Sequence, residues 1–187
     1  VYDPVPVFPG RVIYDKGALI LHSLRYFLGD DDFFDLLTEW AQDPSRRYGT
    51  VTTEEFIDLV ETYVGGDDPD MDDFFWPYLT TDEVPTLVMD HELITAAAGD
   101  DTLRVTVRQD QPTLFRLRVP IEVNRDSGVQ VHPMDVRGEV STLVITAPDL
   151  GDLREVRIDP DGRVFARYQV LAQHAPRARG GRWGPDK

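Results

Sequence analysis

From Tyr14 to about Leu79 the apolar positions recur with the period of a helix, and from about Thr86 to Leu171 they alternate with the period of a strand. In the first helical stretch Tyr14, Ala18, Leu21 and Leu28 share a face that Leu19, Ile20, Leu24 and Phe27 widen, which predicts a helix buried between neighbours. Gly29 is expected to end it as a left-handed cap. Asp30 to Asp32 then set negative charge at the start of a second helix bearing Phe33, Leu36, Leu37, Trp40 and Ala41, with Pro44 just past its end. Thr52 followed by Glu55 forms a capping box ahead of Phe56, Leu59, Val60 and Tyr63, and Gly65-Gly66 is expected to close this third helix. Met71, Phe74, Phe75 and Tyr78 repeat at helical spacing, but Pro77 lacks the N–H a helix interior needs, so the fourth helix should stop near Trp76.

Beyond Pro85, Leu103, Val105 and Val107 alternate with Arg104, Thr106 and Arg108, and Phe115, Leu117, Val119, Ile121 and Val123 alternate with mostly polar partners. Pro120 assigns the second run to a sheet edge or a bulge. Asp159-Pro160-Asp161-Gly162 has the signature of a type I turn between strands near Val156 and Val164. The fold class is therefore α+β, with about four N-terminal helices followed by an antiparallel β-sandwich of roughly seven strands. The units are residues 1–84, 85–172 and a tail over 173–187 that is too rich in Arg, Gly and Pro to form a core.

The 187 residues allow one or two domains. A chain opening on Val1 is expected to be a piece of something longer. With no cysteine, disulfides and thiolate zinc sites are excluded. A formal net charge of −15 repels a phosphate backbone, so nucleic acid is not the expected partner. No run of about 18 apolar residues occurs, so no membrane segment is expected, and a cytoplasmic location is favoured over secretion.

Few residues carry candidate chemistry. His91-Glu92-Leu93-Ile94-Thr95 opens like a zinc motif, yet Thr95 stands where the second histidine must be and the segment reads as a strand. His22, His91, His132 and His174 offer no pair one helical turn apart. The acidic run Asp67, Asp68, Asp70, Asp72 and Asp73 lacks the glycine and the final glutamate of a helix-loop-helix calcium loop, which favours a solvated helix start.

The phrase from Val12 to Arg25, centred on Tyr14-Asp15-Lys16-Gly17-Ala18, resembles the helix that carries the catalytic tyrosine in zinc aminopeptidases of the aminopeptidase N family. Leu28-Gly29-Asp30 with Phe33-Phe34, Thr52-Thr53-Glu54-Glu55-Phe56, Phe74-Phe75 and Pro85-Thr86-Leu87 match it in order and approximate spacing. The resemblance implies the helical end of a thermolysin-like catalytic domain followed by a β-sandwich. It also implies zinc in the full-length parent, held by a His-Glu-x-x-His motif that these residues do not contain, so this piece has no metal or cofactor residues of its own. Tyr14 matches the tyrosine whose hydroxyl donates to the tetrahedral oxyanion; an ordinary phenol, with a pKa of about 10, keeps its proton at neutral pH and donates without adding charge. Lys16 belongs to the same phrase, while its ordinary role is that of a surface or ion-pairing lysine. The implied function is the C-terminal part of an aminopeptidase acting on peptide substrates and inactive alone. Its partner would be the N-terminal catalytic half, whose absence would leave Tyr14, Ala18 and Leu21 open to partner contact or self-association. The alternative is a non-catalytic helix-plus-sandwich module that binds other proteins.

Overall fold

A computed structural model describes residues 14–47, 49–64, 70–95, 100–147 and 150–171. Four helices come first: α1 (Lys16–Leu28), α2 (Asp30–Gln42), α3 (Thr53–Tyr63) and α4 (Asp72–Thr80). Strands β1 (Thr86–Ile94), β2 (Asp101–Gln109), β3 (Leu117–Arg125), β4 (Gly128–Val136), β5 (Val140–Ala147), β6 (Leu153–Ile158) and β7 (Arg167–Val170) follow. They form two sheets, ordered β5-β2-β1-β7 and β4-β3-β6, antiparallel throughout except for the parallel pairing of β7 with β1. The protein is α+β, N-terminal helices followed by a β-sandwich, as the change of period implies.

The capping box forms: the Thr52 hydroxyl accepts from the Glu55 N–H at 3.2 Å, and the Glu55 carboxylate accepts from the Thr52 N–H at 2.9 Å. Gly65 and Gly66 lie outside the described residues, as do His174 and the 173–187 tail. Helix α2 stops at Gln42 because Asp43 precedes Pro44 and takes an extended ψ of 118°.

Five details depart from the sequence reading. Gly29 has φ 91° and ψ 165°, a region open to glycine but not the left-handed helical one. It ends α1 and starts α2 together: its N–H donates to the Arg25 carbonyl at 2.9 Å, and its carbonyl accepts from Phe33 at 3.1 Å. Second, α4 runs through Pro77 to Thr80 instead of stopping near Trp76. Proline at 77 deprives the Asp73 carbonyl of its helical donor, and the Arg116 N–H, arriving from the β2–β3 connection, fills that place at 2.9 Å. Third, Pro120 sits in β3, the central strand of its sheet. It faces Pro133 across β4, and on the other side its carbonyl accepts from Asp159 at 2.8 Å. Proline cannot return that bond, so the Asp159 carbonyl accepts from Gly162 at 3.2 Å and closes the turn. The chain then reaches Arg167 before β7 begins, later than a strand at Val164.

Helices and sandwich share one buried cluster. Tyr78 stands at its centre, stacked on Phe165 at 5.5 Å between ring centroids and tilted against Phe115 at 4.7 Å, with Phe74 at 6.0 Å. Rings of this kind contribute apolar area together with edge-to-face attraction of about 0.5–1.5 kcal/mol per pair. Burial pushes the Tyr78 phenol well above its ordinary pKa, and its hydroxyl donates to the Phe165 carbonyl at 2.7 Å.

Candidate functional site

The fifth departure concerns α1, which is buried on one side only. Ile20, Ser23, Leu24 and Phe27 face the core, whereas Tyr14, Ala18, Leu19 and Leu21 face solvent. The cause is placement: α2 and β3 pack on the Ile20-Leu24-Phe27 stripe, and no described element covers the opposite one. The face named from the sequence by Tyr14, Ala18 and Leu21 is thus an open apolar strip at spacings of four and three residues.

Tyr14 and Asp15 wind in a wide π-type turn that leads into α1. The Tyr14 side chain is 75% exposed, and its hydroxyl makes no hydrogen bond to a described residue. Two fixed points aim this turn. Lys16 donates from Nζ to the Thr81 carbonyl at 2.9 Å, meeting the C-terminal end of α4 where a cation is favoured by the helix dipole. About two turns further on, the buried Ser23 hydroxyl donates to the Leu19 carbonyl at 2.9 Å and accepts from the Phe165 N–H at 2.7 Å. Lys16 therefore does more than a surface or ion-pairing lysine would, because it holds the helix start that presents Tyr14. Sequence reasoning passed over Ser23, although a lone serine between Ile20 and Leu24 on an apolar stripe is the signal of a buried polar link.

Beside Tyr14, a mostly apolar open cleft of about 490 Å³ runs between the start of α1 and the end of α4, lined by Asp15, Lys16, Leu19, Thr81, Asp82, Val84 and Phe165. Its floor at Phe165 is held from behind by Asp159. That buried carboxylate accepts from the N–H of Arg163 at 2.8 Å, from the N–H of Val164 at 3.0 Å and from the Tyr168 hydroxyl at 2.7 Å. Burial, and then the neighbouring Asp159, raise the Tyr168 pKa far above that of a free phenol.

Zinc is the metal the resemblance implies, and the described residues do not fit it. Among them the group of potential ligands that comes together is Glu61, Asp70 and Asp72, with ligand atoms within 4.8 Å of one another. It contains no imidazole, and an all-oxygen set suits hard cations better than zinc. Its oxygens already serve the start of α4: Glu61 accepts from the Met71 N–H at 2.9 Å, Asp70 from the Asp72 N–H at 2.8 Å, and Asp72 from the Trp76 indole at 2.7 Å. This is the solvated helix start expected of the acidic run; Asp67 and Asp68 lie outside the described residues. His91 and Glu92 lie in β1, where neighbouring side chains point to opposite faces. Burial lowers the His91 pKa, and the same cause, joined by the nearby Arg125 charge, lowers that of His132. No described helix is long and apolar enough to cross a membrane.

No protein-family model matches the chain. A stretch of 113 residues is 30% identical to protocadherin gamma-B2 of Pan troglodytes, which is 56% of this chain and 11% of that protein. The chain thus spans about a tenth of the length of the curated relative it matches.

Proposed function

We propose that this chain is the C-terminal part of a zinc-dependent aminopeptidase, and that Tyr14 supplies a hydrogen bond to the oxyanion formed as a peptide carbonyl becomes tetrahedral. The observation that carries the reading is the presentation of Tyr14. A phenol that opens a helix, points to solvent and has no described hydrogen-bond partner is an aromatic donor left without a structural task. Its helix is fixed from behind by Lys16 and Ser23. Such rigidity is what a donor needs if it is to act without reorganising during reaction. The exposed Ala18 and Leu21 continue the same strip and would meet the zinc-bearing half of the parent polypeptide. Zinc ligands, general base and specificity pocket would all come with that half, and the chain alone would be inactive.

The longest natural product of the gene supplies the test. Aminoacyl-anilide cleavage that a chelator abolishes is expected, with Tyr14→Phe lowering kcat by about two to three orders of magnitude and leaving KM nearly unchanged, because the bond strengthens as charge develops. An unaltered kcat in that variant removes Tyr14 from the chemistry. A complete reading frame without His-Glu-x-x-His would favour the non-catalytic helix-plus-sandwich interaction module instead.

A further inference from the structure

Phe165, in the β6–β7 connection, joins two helices through its main chain. Its N–H donates to the buried Ser23 hydroxyl on α1 at 2.7 Å, and its carbonyl accepts from the buried Tyr78 hydroxyl on α4 at 2.7 Å. The two rings of Phe165 and Tyr78 also stack, 5.5 Å between centroids. About one turn beyond Tyr78, the Thr81 carbonyl at the C-terminal cap of α4 takes the Lys16 ammonium at 2.9 Å, which leads back to α1. From Lys16 to Ser23 the helix itself completes the circuit over about two turns, roughly 10 Å of rise. Three hydrogen bonds and two stretches of helix thus make a closed bracket, and Lys16, Thr81 and Phe165 belong both to it and to the lining of the cleft beside Tyr14.

A closed circuit is stiffer than its links, because no joint moves without straining the others. Burial of Ile20, Leu24 and Phe27 holds α1 against the core, but that attraction is non-directional. Hydrogen bonds weaken steeply away from their preferred geometry, so the bracket fixes how far the helix slides and turns. The Ser23 proton is committed to the Leu19 carbonyl at 2.9 Å, which orients its oxygen as the acceptor for Phe165. Phe165 in turn is pinned on both flanks: the Val164 N–H donates to Asp159 at 3.0 Å, and the Arg167 N–H donates to the Pro85 carbonyl at 2.7 Å.

We infer that Lys16, Ser23 and Phe165 are positioning residues for the Tyr14 hydroxyl, and that through Phe165 the β-sandwich takes part in setting the reaction geometry. The inference rests on the aminopeptidase reading of Tyr14. Only Asp15 separates Tyr14 from Lys16, so the bracket ends where the phenol leaves the helix. A donor to a developing oxyanion must arrive at hydrogen-bond distance without reorganising, and a misplacement of about 1 Å costs on the order of a hundredfold in rate. Breaking one link keeps the phenol but blurs its place, which lowers kcat and spares KM.

Aminoacyl-anilide turnover by the full-length protein tests this in two backgrounds, one with Tyr14 and one with Tyr14→Phe. Lys16→Met keeps the stem of the side chain and removes the donor, and Ser23→Ala removes the acceptor that meets Phe165. With Tyr14 present, each is expected to lower kcat about tenfold at nearly constant KM. With Tyr14→Phe, each is expected to change kcat less than about twofold, since a displaced ring without a hydroxyl has nothing further to lose. Tyr63→Phe breaks a 2.7 Å bond to Glu39 outside the bracket and should leave kcat unchanged. Should Ser23→Ala not fold, Lys16→Met alone decides. Equal falls in both backgrounds, an equal fall in Tyr63→Phe, or a kcat that only Tyr14→Phe lowers would each overturn the bracket and leave Tyr14 its role. A kcat indifferent to Tyr14→Phe would remove the bracket and the aminopeptidase reading of Tyr14 together.

Discussion

Replacing Asp159 should reveal how the floor of the cleft beside Tyr14 is held. The residue is buried at 5% exposure, adopts a positive φ of 42°, and accepts from two backbone N–H groups and the Tyr168 hydroxyl. Hydrogen bonds to a charged acceptor contribute roughly 1.5–3 kcal/mol each. Asp159→Asn keeps the shape and tolerates the positive φ, and its single carbonyl oxygen is best used where Val164 and Tyr168 converge. The amide N–H then faces the Arg163 N–H, so one bond is lost and the cost is about 1.5–3 kcal/mol. Asp159→Ala removes all three acceptors. The Tyr168 hydroxyl can turn fully to the Val164 carbonyl, already 3.2 Å away, but two N–H groups are stranded. The cost rises to roughly 3–5 kcal/mol once the lost tolerance of positive φ is included. Phe165 sits immediately after this turn, with its N–H on Ser23 and its carbonyl taking the Tyr78 hydroxyl. The alanine variant should therefore also loosen α1, which hydrogen exchange at Phe165 would report. Urea titration followed by tryptophan fluorescence measures the stabilities. Equal midpoints for the two variants, or changes under about 0.5 kcal/mol, would refute the claim that the carboxylate organises this segment.

Two further outcomes follow from single residues. The Tyr63 hydroxyl donates to Glu39 at 2.7 Å, and chiefly for that reason its pKa is pushed up to about 12. A raised folded-state value means its contribution is complete below the unfolded pKa of about 10 and is lost as pH climbs toward 12. Urea titrations through that window should show a steeper alkaline loss of stability in the native protein than in Tyr63→Phe, and parallel curves would remove the Glu39 bond as the cause. At Gly29 an added Cβ meets open space, so only the backbone conformation is at stake. Gly29→Ala and Gly29→Asn should each cost about 1–3 kcal/mol in thermal unfolding. An asparagine tolerated much better than alanine would point to a left-handed helical cap in solution.

Local information decided the element types. Period, capping and breaker residues depend on neighbours within one turn of chain, so the helices, the strand runs and the Thr52–Glu55 box are legible in the order of residues alone. The phrase around Tyr14 likewise carries its resemblance in the order of residues alone. What remained hidden depends on partners distant in sequence. Pro77 reads as a stop because its missing N–H is local, whereas the Arg116 N–H that takes over the freed carbonyl arrives from another element. Pro120 reads as an edge residue because the chain does not say that its nearest neighbour across β4 is also a proline or that Asp159 needs nothing in return. The side of α1 left uncovered among the described residues and the task of Lys16 were likewise tertiary decisions, since a periodic pattern marks which residues are apolar and only packing determines which of them find cover.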